Sequence, residues 1–200
     1  MARNRRPARI QALNSLRIIG GKWRGRKLHF ADAEGLRPTG DRIRETLFNW
    51  LMAEIPGTHC LDLFSGSGAL AIEALSRGAT TVTLVESSPE VAAQLARNLE
   101  KLGAADDSDL VIANALQWLD QAAPQRYQVV FVDPPFGLNL WSDCLQLLHS
   151  RGWLAQDACV YVERPRGTVI AVPDNWSLHR EKHAGDVNFS LFRVTASIAI

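Results

Sequence analysis

Between Cys60 and Glu86 the chain spells out a strand, a glycine-rich turn, a helix and a second strand. Cys60–Leu61–Asp62–Leu63–Phe64 suits a strand, Ser65–Gly66–Ser67–Gly68 a tight loop, and Ala69 to Arg77 a helix stopped by Gly78. Thr81–Val82–Thr83–Leu84–Val85 is the next strand, ending in an acid, Glu86, 18 residues after Gly68. Parallel strands need a crossover of this length, so the segment is a βαβ unit and the chain an α/β fold. The glycine turn then stands at the carboxyl end of a strand, where open α/β sheets bind nucleotides.

The flanking sequence repeats the alternation. Ser88 and Pro89 open a helix with Val91, Leu95, Leu99 and Leu102 on one face, and Gly103 ends it. Leu110–Val111–Ile112–Ala113, ending at Asn114–Ala115, is a third strand. Val129–Val130–Phe131–Val132 is a fourth and Ala158–Cys159–Val160–Tyr161–Val162 a fifth, with a helix expected between them from about Leu138 to Ser150. Trp176 to His183, a turn at Ala184–Gly185–Asp186, and Val187 to Thr195 read as an antiparallel hairpin at the sheet edge. Ahead of the βαβ unit, Asp41 is expected to cap a helix whose Ile43, Leu47, Trp50 and Leu51 lie on the sheet. Arg42, Arg44 and Glu45 fall off that stripe, open to ligand contacts or to local ion pairs. One main domain over 41–200 is expected.

The fourth strand has no polar alternation, so both its faces should be covered. It ends in a rigid hook, Asp133–Pro134–Pro135–Phe136. The prolines donate no N–H and cannot continue the ladder, which leaves carbonyls free to accept. A carboxylate, a carbonyl and a flat ring together suit a planar exocyclic amine such as that of adenine, cytosine or guanine.

Gly66–Ser67–Gly68–Ala69–Leu70–Ala71 followed by Glu86 also fits a permissive dinucleotide fingerprint, which keeps a nicotinamide or flavin enzyme in view. Asp62 weighs against it, because a carboxylate beside a pyrophosphate costs Coulomb energy, whereas an ammonium would be attracted. A ligand with an amine, a ribose and an adenine but no phosphate fits Asp62, Glu86 and Asn114 together, and S-adenosylmethionine is that ligand. The expected cofactor residues are Asp62, Phe64, Gly66, Ser67, Gly68, Glu86, Asn114 and Ala115.

The formal charge of +1 hides an asymmetry: nine basic residues precede the first acid, Asp32, and all 21 acids follow. That is the footprint of a polyanion partner, most simply a nucleic-acid backbone. Residues 1–15 are expected to be a flexible basic tail, and 16–40 a basic β-hairpin and loop carrying Arg17, Lys22, Trp23, Arg24, Arg26, Lys27, Arg37 and Thr39. Trp23 could stack on a base or pack against the hairpin's own apolar face. No apolar run nears the roughly 18 residues of a membrane span, and no hydrophobic signal segment follows the basic start, so a cytoplasmic protein is expected. Cys60, Cys144 and Cys159 suit buried thiols, and His179 and His183 lack a third ligand, so no metal is expected.

Asp133–Pro134–Pro135–Phe136, preceded by Asp62–Leu63–Phe64–Ser65–Gly66–Ser67–Gly68, resembles the Asp-Pro-Pro-Phe amino-methyltransferases. Arg17 to Arg26, Arg37–Pro38–Thr39, Asp41–Arg42 and Arg44 to Asn49 are similar, within that group, to the guanine-N2 methyltransferases of small-subunit ribosomal RNA. The resemblance spans about Leu16 to Phe192 and implies a seven-stranded, mostly parallel, Rossmann-like methyltransferase sheet. It further implies methyl transfer from S-adenosylmethionine to a guanine N2 in 16S rRNA of the assembling subunit; separately from the resemblance, a monomer is expected. Asp133, Pro134 and Phe136 would hold the base, and Arg17, Lys22, Trp23, Arg24, Arg26, Lys27, Arg37, Thr39, Arg42 and Arg44 the RNA. An amino-methyltransferase for adenine N6, a nicotinamide oxidoreductase and a non-catalytic RNA-binding module are the competing readings.

Overall fold

The computed structural model describes residues 14–30 and 39–195. Most of the expected tail and Arg37 lie outside the described residues, while Asn14 and Ser15 belong to the first strand. A small antiparallel hairpin, β1 (Asn14–Arg17) and β2 (Lys27–Phe30), with a 3-10 turn at Gly21–Trp23, precedes the main body. After it come α1 (Asp41–Trp50), β3 (His59–Asp62), α2 (Ala69–Ser76), β4 (Thr81–Glu86), α3 (Pro89–Leu102) and β5 (Ser108–Ile112). The chain continues with α4 (Ala115–Gln121), β6 (Tyr127–Val132), α5 (Trp141–Ser150), β7 (Leu154–Pro165), β8 (Trp176–Ala184) and β9 (Val187–Val194).

The seven-stranded sheet has the order β5-β4-β3-β6-β7-β9-β8. Strands β3 to β7 run parallel, and β9 and β8 are antiparallel additions. This is the expected mostly parallel α/β sheet with its terminal hairpin at one edge.

Successive side chains of a strand go to opposite faces, and here both faces are covered. Val129 and Phe131 join Cys60, Leu84 and the helices α1, α2 and α3, whereas Val130 and Val132 join Leu61, Val85 and α5. That is why the run from 129 to 132 has no polar residue. The first face also holds the N-terminal hairpin, whose Leu16, Ile18, Trp23, Leu28 and Phe30 share its apolar core. Ser88 caps α3 by accepting from the Val91 N–H, with Pro89 in the first turn and left-handed Gly103 (φ 67°) at the end.

Three local expectations need correction. Gly40, not Asp41, stands at the N-cap of α1, and Asp41 instead pairs with Arg44 one turn on. Helix α4 is an element the sequence pattern does not foretell: the Asn114 side chain accepts the Gln117 N–H at 3.2 Å and starts a seven-residue helix. Helix α5 begins at Trp141, because Phe136–Leu138 forms a separate 3-10 turn and Asn139 is left-handed (φ 50°). Among the described residues, no helix is long and apolar enough to cross a membrane.

Candidate active site

The carboxyl ends of β3, β4, β6 and β7 gather one acid each: Asp62, Glu86, Asp133 and Glu163. Behind Asp62 the chain turns back sharply. The Leu63 N–H donates to the Phe131 carbonyl at 3.2 Å, the Ser65 N–H to Val85 at 3.0 Å, and the Gly68 N–H to Ser65 at 2.7 Å. Gly68 has the left-handed φ of 77° that disfavours a side chain, and a Cβ there would lie 2.4 Å from Leu95 Cδ1. Glu86 ties the loop to the next helix, accepting the Gly66 N–H at 2.9 Å and the Ser88 N–H at 2.8 Å. A carboxylate has about four lone-pair sites, so Glu86 keeps acceptor capacity for a ligand. Asn114 is exposed and Ala115 buried at the neighbouring strand end, and Phe64 is half-buried.

Asp62 is only 2% exposed and accepts the Ala71 N–H at 3.3 Å. Burial pushes its carboxyl up to about 7; the Phe64 and Ala71 N–H groups pull the other way, and Glu86 adds to the rise. A carboxyl raised in the folded state holds a proton that the unfolded chain has released, so its contribution to stability falls as pH rises from about 4 to about 7 and is level above that. The stability of wild type relative to D62N should therefore decline over that window, by up to about 4 kcal/mol. Parallel urea titrations at pH 5, 6, 7 and 8 measure it; a difference constant with pH refutes the assignment.

The second half of the site is the hook after β6. Pro134 is buried, and no backbone N–H among the described residues donates to its carbonyl, whereas the Pro135 carbonyl takes the Leu138 N–H at 3.0 Å. Phe136 is 40% exposed, with its ring centroid 6.0 Å from that of buried Trp141. The Thr39 hydroxyl donates to Asp133 Oδ2 at 3.1 Å. Burial and the neighbouring Glu163 carboxylate push Asp133 well above the usual carboxylate range, against the pull of Thr39.

Asp133 and Glu163 follow directly on the paired residues Val132 and Val162 of the parallel strands β6 and β7, so they lie side by side. Tyr161, fully buried, donates its hydroxyl to Glu163 Oε2 at 2.8 Å, and the Trp141 Nε1–H donates to the Glu163 carbonyl at 2.7 Å. Sequence reasoning ends the fifth strand at Val162 and misses the roles of both Glu163 and Tyr161. The available signal is an apolar run ending in an acid, the same pattern that identifies Glu86 and Asp133.

The basic residues divide into two groups. Arg17, Lys22, Arg24, Arg26, Lys27 and Arg42 are exposed. Arg17, Arg24 and Arg42 line a groove of about 510 Å³, and an adjoining cleft of about 300 Å³ runs past Arg17 and Lys27 to Thr39, the residue bonded to Asp133.

Trp23 and Arg44 are elsewhere, which corrects their expected place on the RNA face. Trp23 is 7% exposed, packed in the core with its backbone N–H donating to Ser76 Oγ and Lys22 Nζ over its ring. Arg44 is 1% exposed; it donates to the Arg17 carbonyl (2.9 Å) and Asp41 (2.6 Å) and lies 3.6 Å from Glu73, the ion-pair alternative to a ligand contact. Thr39 is likewise buried, facing Asp133.

Known proteins are similar to this chain in sequence and in fold. A family model described as Conserved hypothetical protein 95 matches residues 16–193. Ribosomal RNA small subunit methyltransferase D of Escherichia coli K12 is 50% identical over 179 residues, 89% of each chain. The Haemophilus influenzae protein of the same name is 45% identical over 184 residues, 91% of this chain and 95% of that one. The solved structure of the Escherichia coli methyltransferase candidate yhhF superposes with a TM-score of 0.86 at 46% identity, covering 92% of this chain and all of that one.

Proposed function

Since this chain belongs to the family of ribosomal RNA small subunit methyltransferase D, we propose that it transfers a methyl group from S-adenosylmethionine to the exocyclic N2 of a guanine in 16S rRNA of the assembling small subunit. One observation carries the reading. The acceptors of the hook, Asp133 and the Pro134 carbonyl, stand beside exposed Phe136 on the same sheet edge as the Gly66–Gly68 loop.

The donor set fits the cofactor. Asp62 is a buried carboxylate with no ion pair among the described residues, and its raised proton affinity marks a negative charge that an ammonium would compensate. Glu86 has lone pairs left for ribose hydroxyls. Asn114 spends its amide oxygen on capping α4, which leaves its N–H2 for an adenine edge. Bound there, S-adenosylmethionine supplies a methyl group already activated by a sulfonium leaving group.

The chain's own residues prepare the other reactant. A guanine N2 lone pair is delocalised into the ring and is a poor nucleophile. Asp133 and the Pro134 carbonyl each accept a hydrogen bond from one N2–H and draw the nitrogen toward tetrahedral geometry, while Phe136 holds the base by stacking. On taking the methyl group that the sulfonium would release, N2 would shed one proton, and Asp133, with its raised affinity, would take it up. The base must leave its stack to reach this edge, and the groove from Arg24 and Arg42 to Thr39 gives the flanking phosphates a basic track.

Transfer of labelled methyl from S-adenosylmethionine to RNA and to immature small subunits, with the product nucleoside identified as N2-methylguanosine, tests the reading; label found only on adenosine or cytidine rejects it. Reversing Arg24, Arg26 and Lys27 to Glu should weaken RNA binding and flatten its salt dependence, each lost phosphate contact removing about 0.7–0.9 from the log–log slope. Cofactor affinity should hardly move. A wild-type slope in the triple variant would place the RNA on another face.

A further inference from the structure

An acceptor facing an exocyclic amine does not choose a base, because adenine, cytosine and guanine all present an NH2. The bases differ at the next atom. Guanine carries N1–H beside its amine, whereas adenine and cytosine carry an unprotonated ring nitrogen there. A second carboxylate at that position would accept from guanine N1–H in a charge-assisted bond and repel the lone pair of the other two.

The site holds such a carboxylate. Glu163 adjoins Asp133 across the β6–β7 register, and it is 5% exposed. Its backbone carbonyl takes the indole N–H of buried Trp141, whose ring lies 6.0 Å from Phe136, so the end of β7 is tied to the residue that supports the ring on which a base would stack. Tyr161 anchors Oε2 from below. The Thr39 hydroxyl, with one proton to give, lies against both acids. Among the described residues neither acid has a basic partner; burial pushes both upward, Glu163 adds to the rise of Asp133, and the Tyr161 and Thr39 hydroxyls pull Glu163 the other way. The two carboxylates thus face few donors, and a guanine edge brings three N–H groups.

We propose that Glu163 is the specificity-determining residue of this site, accepting the N1–H of the target guanine while Asp133 accepts from its amine. The assignment rests on the reading of the site as a guanine-N2 methyltransferase.

A substrate RNA with 2-aminopurine in place of the target guanine keeps the amine at C2 but lacks the N1 proton together with the 6-oxo group, and comparing wild type with a Glu163 variant assigns the share that Glu163 reads. Wild type should prefer guanine by about a hundredfold or more in kcat/KM, the scale on which a site built to bond a group rejects an analogue lacking it. In E163Q an amide N–H can meet the N1 lone pair, and the preference should shrink at least about tenfold. A loss of packing would lower both substrates alike and leave the ratio unmoved. Should E163Q fail to fold, Y161F carries the test: it keeps the carboxylate but frees it from its anchor, and a narrowed preference is again expected.

An unchanged ratio in the folded variant, with guanine still methylated, overturns the role of Glu163 alone. No transfer by wild type to any guanine overturns the function and this assignment together.

Discussion

Asp133→Ala is expected to reduce turnover at saturating S-adenosylmethionine by on the order of 10²–10³-fold, the scale for losing one preorganised hydrogen-bonding group at a reacting centre. The fold should not suffer. Asp133 is held in an unfavourable setting, raised by burial and by Glu163, with one hydroxyl bond from Thr39 in return. Removing its charge relieves Glu163, so the melting temperature should stay level or rise. Cofactor affinity should be nearly unchanged, because the proposed partner of Asp133 is the amine. Asp133→Asn keeps one carbonyl acceptor and should fall between wild type and Ala. Single-turnover rates beside thermal unfolding curves decide the matter, and an Ala variant within about threefold of wild type would end the proposed role.

Glu73→Ala should produce the largest loss of stability, about 3–5 kcal/mol, the usual cost of removing one partner from a buried ion pair. The Glu73 side chain is completely buried in α2. It accepts the Ile19 and Gly20 N–H groups at 2.8 Å each and the Arg77 Nε–H at 2.8 Å, and it lies 3.6 Å from buried Arg44. Alanine would strand two backbone donors and a guanidinium away from water. The Glu73→Gln variant would keep an acceptor but not the charge and should lose less. The double replacement of Glu73 by Leu and Arg44 by Met should recover part of the deficit, since apolar substitutes for both partners of a buried pair are often tolerated. Urea unfolding provides the comparison, and a loss below about 1 kcal/mol for Glu73→Ala would show that the hairpin is held by its apolar contacts alone.

What the sequence disclosed and what it hid divide along physical lines. The run from Val129 to Val132 announced a doubly covered strand because each of its residues meets an apolar layer. Ser88, Pro89 and Gly103 announced the ends of α3 because capping is local chemistry. Asn114 carried the same kind of signal, but α4 is only seven residues long and gives too few turns for a periodic stripe. The contacts that assemble the site reach much further along the chain. Thr39 meets Asp133 across 94 residues, and Glu73 meets Gly20 across 53, so no local pattern foretells either. Arg44 and Trp23 suggested a nucleic-acid face by residue type, and their burial follows from docking against α2, which composition does not encode. Glu73 did leave a trace. It is the one charged residue in a helix that is otherwise buried and apolar save for Ser76, and such an acid requires partners.

The bond between the hairpin and α2 also sets a distance. Gly21 sits so close to the end of this helix that a Cβ would fall 1.8 Å from the Ser76 carbonyl, and the Ser76 hydroxyl grips the Gly20 carbonyl at 2.6 Å. The other end of the same helix is Gly68, the last residue of the glycine loop. Eight residues at about 1.5 Å each make α2 a strut about 12 Å long between them. Among the described residues, α2 thus spans directly from the loop where the methyl donor would lie to the arm whose arginines face the solvent. With that span preset, bringing the two reactants together would fall to the RNA, through bending of its backbone and swinging out of the base. Rigid, well-folded RNA should accordingly be a poorer substrate than a strand still free to deform.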